Sequence, residues 1–235
     1  MNVLVIDTSN FPLAIAVMNE DEVIAEMMIN IKKNHSIQAM PLIETMLKAA
    51  NLAPKEMDRI VVSMGPGSYT GVRIGVTMAK TLAWTLNIPV VGVSSLAAIT
   101  GAGRHFNGLV CPVFDARRGQ VYTGLYQFEN HGLVAVEEDT NILMDSWIEK
   151  LAERTEKILF TGKDIAVFWE AIQNKLGDRA VRSALTENVP RASEIGLAGM
   201  AMEPGEVHGL VPNYIRLAEA EAKWIERQQQ GKVND

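Results

Sequence analysis

The sequence predicts two related α/β lobes facing each other across a cleft. A short apolar strand ending in an aspartate occurs twice, as Val3-Leu4-Val5-Ile6 before Asp7 and as Val110 to Phe114 before Asp115. Each copy leads into a hairpin-like pair of strands and then into alternating helices and strands. The chain has 235 residues, near the size at which one core divides into two. Residue identity between the halves is slight, so the repeat is one of pattern. Clefts between such lobes commonly hold ligands.

Val3 to Ile6 is a continuous apolar run, as a strand buried on both faces requires, and it stops at the polar Asp7-Thr8-Ser9. Leu13 to Val17 and Val23 to Met27 flank the turn-prone Asn19-Glu20-Asp21-Glu22 as an antiparallel hairpin does. From His35 to Asn51, Ile37, Met40, Ile43, Met46, Leu47 and Ala50 recur at helical spacing. Pro41 lacks a backbone N–H and predicts a kink or a late start there. Arg59 to Ser63 is a strand running into Met64-Gly65-Pro66-Gly67-Ser68-Tyr69-Thr70-Gly71. A helix from Val72 to Leu86 follows, stopped by Asn87 and Pro89, and then a strand at Val90 to Val93.

After Gly101-Ala102-Gly103 the pattern restarts. Strands are expected at Val110 to Phe114, Val121 to Phe128, Leu133 to Val136 and Lys157 to Phe160, with a turn at Glu129-Asn130-His131-Gly132. Helices are expected at Ser146 to Arg154, Ile165 to Leu176 and Ser193 to Met202. Arg216 to Gln230 is a charged, Ala-containing helix with either lobe open to it. The lobes are thus placed at 1–103 and 104–235, with 211–235 able to pack back on the first.

With 48% hydrophobic and 21% charged residues the composition is that of an ordinary globular protein, which excludes disordered and collagenous chains. Lys and Arg total 22 against 28 Asp and Glu, a net charge of -6, so no global positive field gathers a polyanion. A nucleic-acid role needs a local patch or a partner's charge. Cys111 is the single cysteine and has no internal disulfide partner. Met1 leads directly into a strand with no basic and apolar leader, which predicts a cytoplasmic protein. No apolar stretch approaches the roughly 20 residues that cross a bilayer, so no membrane partner is expected.

The glycines from Gly65 to Gly75 permit positive φ and close approach to the main chain. Their spacing matches neither a Walker loop, which continues into Lys-Ser/Thr, nor the dinucleotide fingerprint. A tight structural turn and a ligand or partner loop both satisfy this composition. Gly71, Gly75, Ala79 and Ala83 recur at steps of four, a stripe of nearly bare backbone that something must approach closely. Either the chain's own sheet and neighbouring helix or another molecule fills that role.

Asp7 and Asp115 each sit where a strand meets a loop, a place suited both to Mg²⁺ beside phosphates and to ordinary turns. Arg117-Arg118 beside Asp115 fits an internal ion pair or an exposed anion contact. His35, His105, His131 and His208 include no i, i+4 pair, so no metal-ligand cluster is read. No Gly-x-Ser-x-Gly elbow selects a triad, and Cys111 lies inside an apolar strand. No catalytic residue is nominated.

Leu4-Val5-Ile6-Asp7-Thr8-Ser9, the Gly65 to Gly75 block, Asp115-Ala116-Arg117-Arg118-Gly119-Gln120-Val121-Tyr122 and Pro212-Asn213-Tyr214-Ile215-Arg216 together resemble the bacterial TsaB (YeaZ) family over nearly the whole chain. The resemblance implies the two-lobed actin-like ATPase fold (ASKHA, ribonuclease H-like) and a part in forming threonylcarbamoyladenosine (t6A) at adenosine 37 of tRNAs that read codons beginning with A. It implies a partner subunit and not the catalyst. The related TsaD holds a metal through two histidines at i, i+4, whereas here His35 is followed at that spacing by Ala39. A TsaD-type paralogue and a TsaE-type ATPase are the partners implied, with tRNA reached through the complex and a homodimer formed in isolation.

The same resemblance places the docking surface on the helices His35 to Asn51 and Val72 to Leu86, through His35, Met40, Ile43, Met46, Leu47, Gly71, Arg73, Gly75, Met78, Ala79, Leu82 and Ala83. It requires no cofactor of this chain. It leaves room for ATP or ADP with Mg²⁺ at the interface of the complex, at Asp7, Thr8, Ser9, Gly65, Gly67 and Asp115. The alternative is an ATP-dependent enzyme of the actin-like superfamily working through Asp7, the Gly65 loop and Asp115. Direct tRNA binding by this chain is a third reading, which the charge disfavours.

Overall fold

The computed structural model describes residues 1–31, 35–129 and 132–215. The first sheet contains β1 (Val3–Asp7), β2 (Leu13–Met18), β3 (Val23–Ile29), β4 (Arg59–Ser63) and β5 (Val90–Val93), in the order β3-β2-β1-β4-β5. The second contains β6 (Leu109–Arg117), β7 (Gln120–Glu129), β8 (Gly132–Leu143), β9 (Ile158–Thr161) and β10 (Ala180–Arg182), in the equivalent order β8-β7-β6-β9-β10. In each, the first three strands form an antiparallel meander and the last two run parallel to the first. Helices α1 (His35–Ala49) and α2 (Tyr69–Leu86) belong to the first repeat, and α3 (Met144–Ala152) and α4 (Ile165–Leu176) to the second. Both repeats therefore run β-β-β-α-β-α-β, the duplicated actin-like, ribonuclease H-like fold.

All five residues of β1 are buried because helices cover both faces of its sheet. One face, with Leu4, Ile6, Ile60 and Val62, meets α1 and α2 through Ala39, Ile43, Met46, Leu47, Ala79 and Ala83. The other, with Val3, Val5, Val61 and Val91, meets Ala192 and Ile195 of a fifth helix, α5 (Ala192–Met200). This helix follows the second sheet in the chain and packs on the first, across β1, β2 and β4. The second sheet has its own core around Leu125, Trp147, Phe160 and Ile172. There Cys111 is fully buried, its Sγ accepting from Trp147 Nε1 at 3.3 Å, and burial pushes the thiol up to about 11. It is an inert packing group.

Several boundaries differ from the sequence expectation. Helix α1 does not start late: it runs from His35 through Pro41, and the carbonyl that Pro41 leaves without a helical donor belongs to Ile37, an exposed residue. Helix α2 starts at Tyr69 and not Val72, because the Ser68 hydroxyl caps it by accepting from Gly71 N at 3.3 Å. Strand β8 extends to Leu143 because pairing with β7 carries it past Glu137, Glu138 and Asp139, whose polarity hid it. The three-residue β10 was not expected at all. The Arg216 to Gln230 segment lies outside the described residues.

The chain between the lobes is held by a buried carboxyl group. Ser94, just after β5, caps the short helical segment Ser95–Ile99 by accepting from Leu96 N at 3.1 Å, and its hydroxyl donates to Asp139 of β8. Tyr126 of β7 donates its phenol to the other Asp139 oxygen. Burial raises the Asp139 pKa, the neighbouring Glu138 adds to it, and the two hydroxyl donors oppose it. A carboxyl raised by folding supplies stability that is full below the ordinary carboxylate range and lost as pH rises through its folded value. The Asp139 contribution to the unfolding free energy is thus expected to fall as pH rises above the ordinary carboxylate range, and Asp139→Asn to change the slope of stability against pH by up to ~1.4 kcal/mol per pH unit in calorimetric scans, in the direction of greater stability at higher pH relative to wild type. Parallel slopes would show that Asp139 titrates as it does in the unfolded chain.

Candidate functional site

The end of β1 is closed over by the Gly-rich loop. Thr8 Oγ1 donates to Gly71 O at 2.7 Å, and a methyl group at Gly75 would overlap that hydroxyl. The close approach read from the glycine stripe is therefore the seating of α2 on the β1 terminus. Ser68 N donates to Ser9 O at 2.7 Å, and a Cβ at Gly67 would overlap the same carbonyl. Gly65, at φ +108°, has its N–H on Ser95 Oγ at 3.0 Å and faces the Asn213 main chain. Met64 O accepts from Asn213 N at 2.6 Å, which fastens the 211–215 segment to the loop.

Beneath this cover Asp7, Thr8 and Ser9 are each no more than 1% exposed. The Asp7 carboxylate accepts from Ser9 N at 2.9 Å, and burial raises its pKa against that bond. Gly67 lies directly on the Ser9 carbonyl, which leaves the Asp7 carboxylate closed off from solvent. The residues present do not fit a magnesium nucleotide at Asp7. Among the described residues no group of three or more His, Cys, Asp or Glu converges on a metal position either.

The interlobe cleft lies above, with a volume of about 570 Å³. Asn10, Gly67, Ser68 and Tyr69 line it from the first lobe, Asp115, Arg117, Arg118 and Tyr122 from the second, and Asn213, Tyr214 and Ile215 from the returning chain. Tyr69 and Tyr214 stack at 4.6 Å between ring centroids, 23° from parallel. Asp115 N donates to Asp164 Oδ2 at 3.0 Å, and Asp115 Oδ1 accepts from Arg117 N at 2.7 Å, so Asp115 shapes the β6–β7 turn. Arg117 and Arg118 stand in that turn at φ +67° and +58°. Of the six residues expected around a nucleotide, the structure brings Gly67 and Asp115 to the cleft, sets Gly65 behind its wall and seals Asp7, Thr8 and Ser9 below it. Tyr69, Tyr122 and Tyr214 were missed as cleft residues although they stood inside the motifs that carried the resemblance.

A second concave surface runs between α1 and α2. Of the twelve residues expected to dock a partner, Ile43, Met46, Leu47, Gly71, Gly75, Ala79 and Ala83 are buried in the first lobe's own core. Of the two readings of the small-residue stripe the structure has the first, with the stripe facing the chain's own sheet, while Ile43 and Leu47 also line a neighbouring surface hollow. His35 is half-buried, its Nε2 3.0 Å from Phe11 O. Met40 and Arg73 are exposed and Met78 and Leu82 half-buried. With Ser36, Thr70, Ile74, Thr77 and Thr81 these four line a groove of about 510 Å³. Of the added residues, Thr70, Ile74, Thr77 and Thr81 occupy the α2 arc opposite the stripe, and reading the stripe as buried would have located them. No described helix is long and apolar enough to cross a membrane.

Fold and site together define a class: a duplicated actin-like protein whose strand-end aspartate is closed off and whose first lobe presents an apolar helical groove. A family model described as "TsaD: tRNA N6-adenosine threonylcarbamoyltransferase" matches residues 22–224. The protein of Bacillus subtilis named "tRNA threonylcarbamoyladenosine biosynthesis protein TsaB" is 52% identical over 97% of this chain and 100% of its own length. The Escherichia coli protein of that name is 29% identical over 73% of each chain. The solved structure of YeaZ from Pseudomonas aeruginosa, 25% identical, superposes with a TM-score of 0.75 over 91% of this chain and 99% of that one. The chain belongs to the TsaB family of tRNA threonylcarbamoyladenosine biosynthesis proteins.

Proposed function

We propose that this chain serves t6A formation as a non-catalytic subunit, docking a TsaD-type paralogue on the α1–α2 groove. The groove carries the reading: Met40, Ile74, Met78 and Leu82 leave an apolar trough on the lobe surface with Arg73 among its lining residues. Methionines suit a surface that repacks against a partner. A second apolar hollow, of about 640 Å³, shares Met40 and Leu82 and extends the surface past Leu86. The sealed Asp7 speaks against the alternative of an ATP-dependent enzyme acting through that carboxylate. In this reading a TsaE-type ATPase joins the pair, tRNA is engaged through the complex, and a homodimer formed in isolation occupies the same groove. ATP or ADP, where the complex uses it, sits elsewhere than Asp7.

Thr77 is exposed and lines the groove, so Thr77→Arg places a charge in the contact without touching the core. Affinity for the TsaD-type partner is expected to fall about 100-fold, or roughly 2.7 kcal/mol, with an unchanged circular dichroism spectrum. Full affinity in a folded Thr77→Arg protein refutes docking here. Magnesium-dependent ATP hydrolysis by the purified chain, lost in Asp7→Ala, would establish the enzymatic alternative.

A further inference from the structure

We propose that the interlobe cleft holds an unpaired nucleotide of the tRNA, its base against the Tyr69–Tyr214 pair and its phosphate at Arg117; this rests on the t6A reading above. The ring pair stays partly open to the cleft, Tyr69 at 47% and Tyr214 at 37% exposure. Stacked aromatic side chains at a cleft wall accept a further planar ring of any base identity. Arg117 is exposed and lines the same cleft. Its φ of +67° is a conformation that a residue with a Cβ adopts at a cost, and such strain concentrates at binding sites. Asn10 lines the cleft, and its Nδ2, buried behind that wall, has no hydrogen-bond partner, so a rotation of the side chain would bring a donor to a phosphate or base oxygen. Asp115 is the one carboxylate among the lining residues, and it accepts from the Arg117 amide. A guanidinium, an unpartnered amide and an aromatic platform in one hollow match a nucleotide unit.

The cleft's surroundings favour a strand over a free triphosphate. A magnesium-bound triphosphate is best held by more than one accessible carboxylate, and with Asp7 sealed Asp115 alone among the described carboxylates lines the cleft, its Oδ1 already accepting from the Arg117 amide. A single phosphate needs only the arginine and the start of α2, where Ser68 and Tyr69 line the cleft. One residue further, Thr70 and then Arg73 line the partner groove, so a strand in the cleft emerges beside a docked paralogue. The whole chain carries a net charge of -6, whereas the cleft lining sets Arg117 and Arg118 against Asp115.

The test is tRNA affinity across a salt series for the heterodimer with a TsaD-type partner, using unmodified tRNA, circular dichroism as the fold control, and calorimetric titration with AMP and ATP. Arg117→Ala is expected to weaken tRNA binding about fivefold or more and to reduce the salt slope by about 1. Tyr214→Ala is expected to weaken it severalfold with the slope unchanged, because stacking carries no charge. Lys175→Ala, on the exposed far side of α4, should match wild type. Photo-cross-linking of the tRNA should label the peptide containing Tyr214, in the heterodimer and in the isolated chain. A heterodimer in which Arg117→Ala keeps wild-type affinity and slope overturns the cleft assignment alone. Arg117-dependent binding of AMP or ATP without tRNA cross-linking makes the occupant a free nucleotide and also overturns it. Failure of the wild-type chains to associate sinks the partner reading instead, and cross-linking to the isolated chain then decides the cleft.

Discussion

Ala79→Arg is expected to unfold the first lobe. Ala79 is 0% exposed and sits in the core cluster with Ala39, Ile60 and Val62, between α2, α1 and the sheet. An arginine there places a guanidinium among apolar side chains with no carboxylate to meet it, which costs several kcal/mol. Overpacking adds about 1–3 kcal/mol, because the sheet beneath is rigid. Against a total of ~5–15 kcal/mol for a domain, that removes most or all of the stability. Thermal melting followed by circular dichroism should show the cooperative transition lowered by tens of degrees or absent. Thr77→Arg, two residues earlier on the exposed arc, should melt like wild type, so the pair reports which way α2 is turned. A folded Ala79→Arg protein with native melting would place Ala79 outside.

Arg59→Ala should have the next largest effect on stability, acting on the attachment of α5. Arg59 Nη1 donates to Gly199 O at 3.0 Å, Met200 O at 3.2 Å and Met202 O at 3.0 Å. These carbonyls belong to the end of α5, where the helix has no amide left to offer them, and a cation there also complements the helix dipole. Removing the guanidinium leaves the part-buried carbonyls of Gly199 and Met200 without this donor, and a loss of about 2–4 kcal/mol is expected. Hydrogen exchange should quicken first across Ala192 to Met202, and Arg59→Lys should recover part of the loss. Unchanged melting and exchange would mean that the apolar contacts of Ala192 and Ile195 hold α5 unaided.

Strand β1 was legible because burial on both faces leaves only apolar residues, and Val3 to Ile6 announce that directly. Strand β8 was not, because its exposed and half-exposed positions carry Glu137, Glu138 and Asp139, and only its partner strand specifies it. Helical periodicity showed that Gly71, Gly75, Ala79 and Ala83 share a face, but no local signal says what covers a face. The covering group, Thr8, is distant in sequence and near only in the fold. For the same reason the strand-end placement of Asp7 was correct while its accessibility was not: the loop that seals it arrives from elsewhere in the chain. The hairpins β1–β2–β3 and β6–β7–β8 stood in the sequence pattern, whereas the partner sheet of α5 was invisible because its contacts cross from one repeat to the other.

The return of α5 to the first sheet also sets an order of events during synthesis. Strands β1 to β5 emerge from the ribosome before any part of the second repeat, yet the side of their sheet bearing Val3, Val5, Val61 and Val91 has only Ala97 and Ala98 against part of it until Ala192 and Ile195 are made. N-terminal units generally fold first as a chain emerges, and an uncovered apolar sheet face at that stage invites aggregation or chaperone capture. The first lobe of this protein must wait for the second to be translated. A nascent chain stalled before residue 192 should accordingly hold trigger-type chaperones longer than one stalled after Met202, the last carbonyl that Arg59 holds, has emerged.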